Sequence, residues 1–355
     1  MSAAVPGAVP FRELKVDALI VSALPNIRYL TGFTGDNALA VATPDSITLF
    51  TDPRFTIQAG EECSCKTVTV AKGGLEPAAA ELVRKKKWKR IGFESTRLAY
   101  DSYHRLKGAL PPGAALKPLA GAVERLRMIK SADELARIRQ SVLTNSRAFA
   151  NTVRGLRPGL TEFEIAAQLE FEMRRFGGEK AAFDSIVAAG DRSALPHARP
   201  TGRRISNDEL LLIDMGTCQD GYMSDMTRVL FLGRPPQRLR NMYKAVAEAQ
   251  LAAIDAVRPG VTAGEVDRKA RRVLESHGLG KAFVHSTGHG LGLEIHEPPR
   301  IGRKDPTKLD AGMTITIEPG AYVEGFGGIR IEDTVVVTRA GCEVLTPTSK
   351  EFMLL

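Results

Sequence analysis

Four acidic residues lie inside or directly beside apolar runs that predict buried strands. The segment "LLLIDMGTCQDGYMSDMTRVLF" carries Asp214 and Asp225, "TITIEPG" carries Glu318, and "IEDTVVV" carries Glu332. A buried carboxylate without a partner is unfavourable by several kcal/mol unless it becomes protonated. Because hard divalent cations prefer oxygen ligands, the pattern predicts a metal site built from these acids.

A hairpin is predicted between the two aspartates, because Gln219-Asp220-Gly221 is a turn signal. If Gln219 and Asp220 are the central turn residues, the two aspartates face each other directly. If Asp220 and Gly221 are central, Asp225 instead faces Gly216. Both registers place the two carboxylates on one face, since side chains alternate with a period of two. Like charges so placed repel, which favours a cation between them.

A faint internal repeat relates the two acid-bearing regions. The segment "RPGLTEFEI" (157–165) matches "RPGVTAGEV" (258–266) 101 residues later. Each copy has a Pro-Gly turn, a Thr N-cap with Glu three residues on, and an amphipathic helix that ends at Gly177 or Gly278. A histidine-bearing segment and a two-acid hairpin follow each helix. Two half-domains related by a pseudo-twofold axis would bring the two hairpins together.

Histidine usage supports the site. Four of the six histidines flank the hairpins, namely His197, His285, His289 and His296. In "HSTGHGLGLEIHEPP" the intervening glycines permit close approach of the backbone to an ion or substrate. One imidazole with four carboxylates suits two ions of the Mn²⁺ or Co²⁺ kind better than one structural zinc, which prefers Cys and His. Two such ions could share and activate a water molecule.

The chain is long enough for one large or two ordinary domains. Its first part alternates predicted strands ("VDALIVSA", "ALAVATPDSITLFTD", "RIGFES") with a predicted helix ("EPAAAELVRKKKW"). A long helix is then predicted to begin at Ser131, because Glu134 completes a capping box. We therefore expect a small α/β domain over residues 1–124 and a second domain over residues 125–355.

Bulk properties exclude several classes of protein. With 43% hydrophobic and 25% charged residues, the 355-residue chain is typical of a globular protein with a core. No apolar run approaches a membrane span, and "MSAAVPGAVPFREL" lacks the pattern of a signal peptide. The four cysteines show no paired metal spacing, so we expect a cytoplasmic protein. The net charge of +8 and the run "RKKKWKR" come without a nucleic-acid motif. We therefore expect neither nucleic acid nor membrane as a partner.

At these residues the chain resembles the pita-bread metallopeptidases, and within them the proline-specific branch of Xaa-Pro dipeptidases (prolidases) and Xaa-Pro aminopeptidases (aminopeptidase P). The resemblance rests on "DMGTCQDGYMSDMTR", "HSTGHGLGLEIHE", "TIEPGAY" and "GGIRIEDT". It implies an α+β fold, with a creatinase-like N-terminal domain before a pita-bread catalytic domain that contains the pseudo-twofold repeat. It also implies a homodimer that acts on proline-containing peptides.

The resemblance assigns roles to particular residues. The ligands of two metal ions, Mn²⁺ first with Co²⁺ or Zn²⁺ as alternatives, would be Asp214, Asp225, His289, Glu318 and Glu332. Glu318 would also be the general base. The scissile carbonyl would be bound by His197, His285 and His296. Arg330 would form a charge-assisted hydrogen bond with a ligand carboxylate.

Several activities stay open on this fold. Arg300 in "HEPPRIG" could bind the carboxylate of a dipeptide, which favours an Xaa-Pro dipeptidase slightly over an aminopeptidase P that acts on longer peptides. An exposed arginine without this role is an equal interpretation. Creatinase is the alternative chemistry, and methionine aminopeptidase generally lacks such an N-terminal domain. A metal-free binding module on the same fold is the alternative of another class.

Overall fold

The computed structural model describes residues 9–355. It divides the chain into two compact units, Met1–Arg127 and Met128–Leu355. Among residues 9–355, no helix is both long enough and apolar enough to cross a lipid bilayer.

The first unit contains a six-stranded mixed sheet with helices. Its elements in chain order are α1 (Phe11–Leu14), β1 (Ala18–Val21), α2 (Leu24–Thr31), β2 (Ala38–Ala42), β3 (Ile47–Thr51), α3 (Thr56–Glu62), β4 (Lys66–Thr69), α4 (Leu75–Lys86), β5 (Arg90–Glu94), α5 (Tyr100–Ala109), β6 (Ala115–Leu119) and α6 (Glu124–Arg127). The strand order is β4-β3-β2-β1-β5-β6, and only β2 is antiparallel to its neighbours.

This sheet is covered on both faces, as the uniformly apolar sequence of β1 predicts. Leu19 and Val21 pack in one hydrophobic cluster, and Ala18 and Ile20 pack in another, because successive side chains point to opposite faces. The strands and the helix predicted for this part of the chain are confirmed. The basic run over residues 84–90 spans the end of α4 and the start of β5.

The second unit combines four helices with several small sheets. Its elements are α7 (Ala132–Arg154), α8 (Glu162–Arg175), β7 (Lys180–Ala181), β8 (Ile186–Ala189), β9 (Glu209–Met215), β10 (Thr217–Gln219), β11 (Tyr222–Met223), β12 (Met226–Leu232), α9 (Gln237–Ala256), α10 (Ala263–Ser276), β13 (Gly288–Gly290), β14 (Glu297–Ile301), β15 (Thr314–Ile317), β16 (Gly320–Val323), β17 (Gly327–Arg330), β18 (Asp333–Val337), β19 (Cys342–Val344) and β20 (Met353–Leu354). The two largest sheets have the orders β20-β12-β9-β8 and β14-β13-β15-β18-β19.

The helices of the repeat begin and end as the sequence predicts. Capping boxes join Thr161 with Glu164 at α8 and Thr262 with Glu265 at α10. The predicted capping box at Ser131 also forms and begins α7. Each repeat helix ends two residues before a glycine with a left-handed backbone, at φ 103° for Gly177 and 74° for Gly278.

Strand β9 separates two hydrophobic clusters and so decides where its acid points. Leu211 and Ile213 pack with α7 and α8. Leu210 and Leu212 pack with α9, α10 and residues of β15 and β18. Because side chains alternate along a strand, Asp214 shares the face of Leu210 and Leu212, towards the second large sheet.

Candidate active site

The first hairpin adopts one of the two predicted registers. Asp220 and Gly221 are the central turn residues, with φ of 49° and 75°. The positive φ at both positions is typical of a type I′ turn. Thr227, rather than Asp225, is the cross-strand partner of Asp214. The register in which the two aspartates face each other is therefore excluded, and their carboxylates are offset along the same hairpin.

The second acidic pair comes from the ladder between β15 and β18. Ile317 pairs with Asp333, so Glu318 and Glu332 are the next opposed residues at the end of this ladder. His289 lies on the adjacent strand β13, and its backbone N–H donates to Thr316 Oγ1 at 3.1 Å. A Cβ on Gly288 would lie 1.9 Å from a backbone oxygen of β15, so only glycine permits this close approach.

The first hairpin and the β13, β15 and β18 strands bring the predicted ligands together. The second acid pair comes from β15 and β18, which the β16–β17 hairpin separates in sequence, and not from a simple hairpin. One ligand atom each from Asp225, His289 and Glu332 lie within 4.8 Å of one another. His289 Nε2 lies 3.5 Å from Asp225 Oδ2 and 3.4 Å from Glu318 Oε1. Asp214 lies close enough to raise the pKa of Asp225 by charge repulsion. All five side chains line one cavity of about 840 Å³.

The electrostatics of this cluster fit a bound cation. Burial raises the pKa of Asp225 and Glu332 well above the usual range, and neighbouring carboxylates raise it further. Burial also raises the pKa of Glu318. Asp214 Oδ1 is buried without a hydrogen-bond partner among the described residues. Three buried acids and the half-buried Glu318, with one guanidinium beside them, have unsatisfied negative charge, and divalent cations would supply the missing positive charge.

Arg330 is that guanidinium, and it joins β17 to the first hairpin. Its Nη2 donates to Asp214 Oδ2 at 2.5 Å, and its Nε donates to Thr227 Oγ1 at 3.0 Å. Thr227 in turn donates to Glu332 Oε2 at 2.7 Å. Each of these hydrogen bonds fixes the orientation of an acid in the cluster, directly or through the threonine hydroxyl.

Tyr322 is a site residue to which the sequence assigned no role. Arg330 Nη1 donates to Tyr322 Oη at 2.6 Å, and His285 Nε2 lies 2.8 Å from the same oxygen. His285 Nδ1 lies 2.7 Å from the carbonyl oxygen of Ser286, so this nitrogen carries the proton and Nε2 accepts from the phenol. Burial, aided by Arg330, lowers the pKa of His285 to about 4, which keeps the ring neutral. The segment "TIEPGAY" contains Tyr322, and its spacing of four from Glu318 was the available signal.

His197 and His296 differ from His285, because their rings are exposed to the cavity. Neither ring makes a hydrogen bond with another described residue, although His296 packs edge-on against His289 with ring centroids 4.4 Å apart. Arg300 on β14 lines the same cavity and is exposed. Every residue that the sequence predicted for the site therefore lines one cavity.

Two buried networks hold the histidine-bearing segments, and neither was foreseen. Glu162, at the first residue of α8, is fully buried and accepts from the backbone N–H groups of Ala189 and Thr201 and from Arg192 Nε. These contacts join both ends of the loop that carries His197. On the sequence, Glu162 is an ordinary acid in a first helical turn, so no signal marks it.

The second network lies on α10. Arg271 and Asp267 form a two-point ion pair, and Arg271 Nη2 donates to the carbonyl oxygen of His285. Asp267 Oδ1 accepts from the hydroxyl of Thr287 at 2.9 Å, and the carbonyl oxygen of Thr287 accepts from the backbone N–H of Glu318 at 2.7 Å. In the sequence, an Asp and an Arg four residues apart on a helix are typical of an exposed ion pair. The buried position of this pair could therefore not be predicted from the spacing.

Comparisons with known proteins agree with this arrangement. Residues 136–339 match the family model "Metallopeptidase family M24", and residues 10–129 match "Creatinase/Prolidase N-terminal domain". The predicted α+β pita-bread fold with a creatinase-like N-terminal domain is thereby confirmed.

Individual relatives cover nearly the whole chain. It is 36% identical over 342 residues to an Xaa-Pro dipeptidase of Pyrococcus furiosus, which covers 96% of this chain and 96% of that protein. The solved structure of an Xaa-Pro dipeptidase from Bacillus anthracis superposes with a TM-score of 0.94, at 36% identity and 97% coverage of both chains. That of an X-Pro aminopeptidase from Thermotoga maritima MSB8 superposes with a TM-score of 0.91, at 35% identity over 97% of this chain and 99% of that one.

The clustered acids and His289 all fall within the segment that the catalytic family model matches. Their need for positive charge is met by the divalent metal ions that define a metallopeptidase of this kind. On these grounds the chain belongs to metallopeptidase family M24.

Proposed function

We propose that this protein is an exopeptidase that uses two metal ions to hydrolyse the bond between an N-terminal residue and proline, with Xaa-Pro dipeptides as its preferred substrates. The observation that carries the proposal is the cavity itself, in which five potential metal ligands, two accessible imidazoles and Arg300 converge. The relatives named Xaa-Pro dipeptidase support the choice of substrate.

The metal ligands we propose are Asp214, Asp225, His289, Glu318 and Glu332, with Mn²⁺ as the expected metal. Acidic oxygen ligands with a single imidazole suit Mn²⁺ better than a purely structural zinc. When bound, two divalent ions would polarise the scissile carbonyl and lower the pKa of water.

Glu318 is the proposed general base. Its side chain lies at the edge of the acid cluster, where Thr316 Oγ1 donates to Oε1 at 3.3 Å and His289 Nε2 lies 3.4 Å away. A carboxylate in this position accepts the proton of the attacking water and passes it to the leaving nitrogen of proline. The backbone contact from Thr287 fixes Glu318 for this transfer.

We propose two different roles for the histidines other than His289. His197 and His296 have free ring nitrogens that face the cavity, so they donate to the scissile carbonyl as negative charge develops on its oxygen. His285 has both ring nitrogens engaged within the protein. We therefore assign it to holding Tyr322 and Arg330, instead of the direct carbonyl contact expected from the sequence.

Arg300 is the proposed partner of the substrate carboxylate. A planar guanidinium matches a carboxylate geometrically, and the side chain of Arg300 has no ion pair or hydrogen bond with another described residue. In a dipeptide this carboxylate belongs to proline, one residue beyond the scissile bond. In a longer peptide it is an amide, which Arg300 would bind less strongly.

Three wider inferences accompany the activity. We infer a homodimer on the basis of the family resemblance, and a cytoplasmic location on the basis of the four free cysteines at residues 63, 65, 218 and 342. We also infer that residues 1–124 and 125–355 form the two domains. The compact units that divide after Arg127 support this assignment.

A chelation experiment tests the proposed activity. Protein treated with chelator should lose hydrolysis of Ala-Pro, and Mn²⁺ or Co²⁺ should restore it, because the acid cluster is complete only with cations. Activity that survives in metal-free protein would contradict the proposal. Creatine is the control substrate, since its hydrolysis without Ala-Pro cleavage would indicate a creatinase, and absence of both activities and of bound metal would indicate a binding module.

A further inference from the structure

A second cavity of about 750 Å³ lies beside the first and shares part of its wall, including His285 and Arg300. The shared residues place it directly beside the site, at the position proposed for the substrate carboxylate. Its volume falls within the roughly 300–1,000 Å³ typical of small-molecule sites. It is therefore large enough to receive a further part of a substrate.

Three cations surround this cavity without anionic partners. Arg300, Arg303 and Lys304 are exposed, and none of their side chains makes a hydrogen bond or ion pair with another described residue. We name Arg303 and Lys304 the basic annex, since Arg300 on β14 already belongs to the proposed dipeptide site. Arg271 also lines the cavity, but Asp267 neutralises it. The acid in the lining, Asp305, accepts a hydrogen bond from the backbone of Thr307. The cavity therefore has a net positive wall.

The loop that carries the basic annex is held in place by α10. The backbone N–H of Gly264 donates to the carbonyl oxygen of Asp305 at 3.0 Å, and that of Ala263 donates to Thr307 at 2.9 Å. A Cβ on Gly264 would lie 3.1 Å from the same oxygen of Asp305, so the contact between helix and loop is close. The cations thus project from an anchored backbone, which reduces the entropy lost when they bind an anion.

We propose that the basic annex binds the C-terminal carboxylate of peptides one residue longer than a dipeptide, so that the protein cleaves Xaa-Pro-Xaa tripeptides as well as Xaa-Pro. This inference rests on the proposed peptidase activity and extends its substrate class. One added residue moves the carboxylate about 3.5 Å further along the chain. Arg300 then faces an amide, and Arg303 and Lys304, further along the same loop, take over the charge contact.

The test compares three peptides: Ala-Pro, Ala-Pro-Gly and Ala-Pro-Gly-amide, each with the Mn²⁺-loaded enzyme. In the Arg303→Gln/Lys304→Gln double variant, kcat/KM for Ala-Pro-Gly should fall about five- to tenfold, the scale of exposed charge contacts. Cleavage of Ala-Pro and of the amide should change less than about twofold. Lys308→Gln is the matched control, because Lys308 is exposed on the same loop but lines neither cavity.

Arg300→Ala provides the reciprocal variant. It should lower kcat/KM for Ala-Pro by roughly tenfold to a hundredfold, the scale of one charge-assisted contact, and lower it much less for Ala-Pro-Gly. The product Pro-Gly should inhibit the wild-type enzyme better than Pro-Gly-amide does, and this difference should vanish in the double variant.

Equal cleavage of the tripeptide and its amide by the wild-type enzyme would overturn the annex proposal. So would a loss in Lys308→Gln as large as in the double variant. If Ala-Pro is cleaved and Ala-Pro-Gly is not, the annex proposal is wrong while the proposed dipeptidase stands. If neither peptide is cleaved, both proposals are wrong.

Discussion

The two halves of the second unit follow one plan, from capped helix through histidine segment to acid-bearing strands, yet they treat their histidines in opposite ways. In the first half Glu162 fixes both ends of the loop but leaves the ring of His197 exposed and without a hydrogen bond among the described residues. In the second half Asp267 and Arg271 fix the backbone, and the ring of His285 is bonded at both nitrogens. A rigid segment can thus carry either a ring available to substrate or a ring that supports other residues.

The two halves also differ in how their acids are placed relative to each other. Asp214 and Asp225 are offset along their hairpin, whereas Glu318 and Glu332 follow the ladder as opposed residues. Arg330 from the second half bonds to Asp214 from the first. Neither half therefore contains a complete site, and the comparison predicts that a metal centre requires both.

The largest expected effect follows from removing one acid from the first half. Asp225→Asn should lose most of the bound metal and nearly all activity, because the cluster loses one negative charge and one ligand oxygen. Metal content measured by plasma mass spectrometry checks this. Cys218→Ser in the same hairpin is the control, and an equal loss of metal there would show that the hairpin, rather than the acid, is responsible.

The second prediction concerns the proposed base in the second half. Glu318→Gln keeps the shape of the side chain but removes its capacity to accept a proton, so kcat should fall by at least about 10²-fold. Steady-state kinetics of Ala-Pro hydrolysis at saturating Mn²⁺ measure this. A near-normal kcat would place the base on another residue.

The sequence was sufficient to predict which acids form the site, but not to predict the contacts that orient them. Asp214 and Glu318 could be recognised because carboxylates are rare at the ends of buried strands. The register of the first hairpin stayed open because Asp220, like glycine, tolerates the left-handed conformation that the observed turn requires. Tyr322 and Glu162 acquire their roles from partners far along the chain, and local spacing does not encode such partners.

The third prediction separates the two kinds of histidine. His197→Gln should lower kcat roughly tenfold to a hundredfold, as expected for loss of a hydrogen-bond donor to the developing oxyanion, without changing the Tm. His285→Gln should instead lower the unfolding free energy by about 1–3 kcal/mol, because partly buried hydrogen bonds to Ser286 and Tyr322 are disturbed. Kinetics and thermal unfolding of both variants are the measurements. If His285→Gln keeps the wild-type Tm and His197→Gln does not, the contrast between the halves is reversed.

The smallest effect is the contribution of His285 to the pH dependence of stability. Burial lowers the pKa of His285 to about 4, below the value of about 6.5 in an unfolded chain. The unfolded state therefore binds more protons between these two values, and His285 destabilises the fold progressively as the pH falls from about 6.5 to about 4. Above about pH 7.5 the ring is essentially uncharged in both states and contributes little to the dependence. Other groups also change protonation as the pH falls, so the informative quantity is the difference between variants. Urea unfolding of wild-type protein and His285→Gln, from pH 7.5 to 5, should show a shallower decline in the variant, by about 2 kcal/mol over this range. Parallel curves for wild-type protein and His285→Gln would show that His285 is not held neutral.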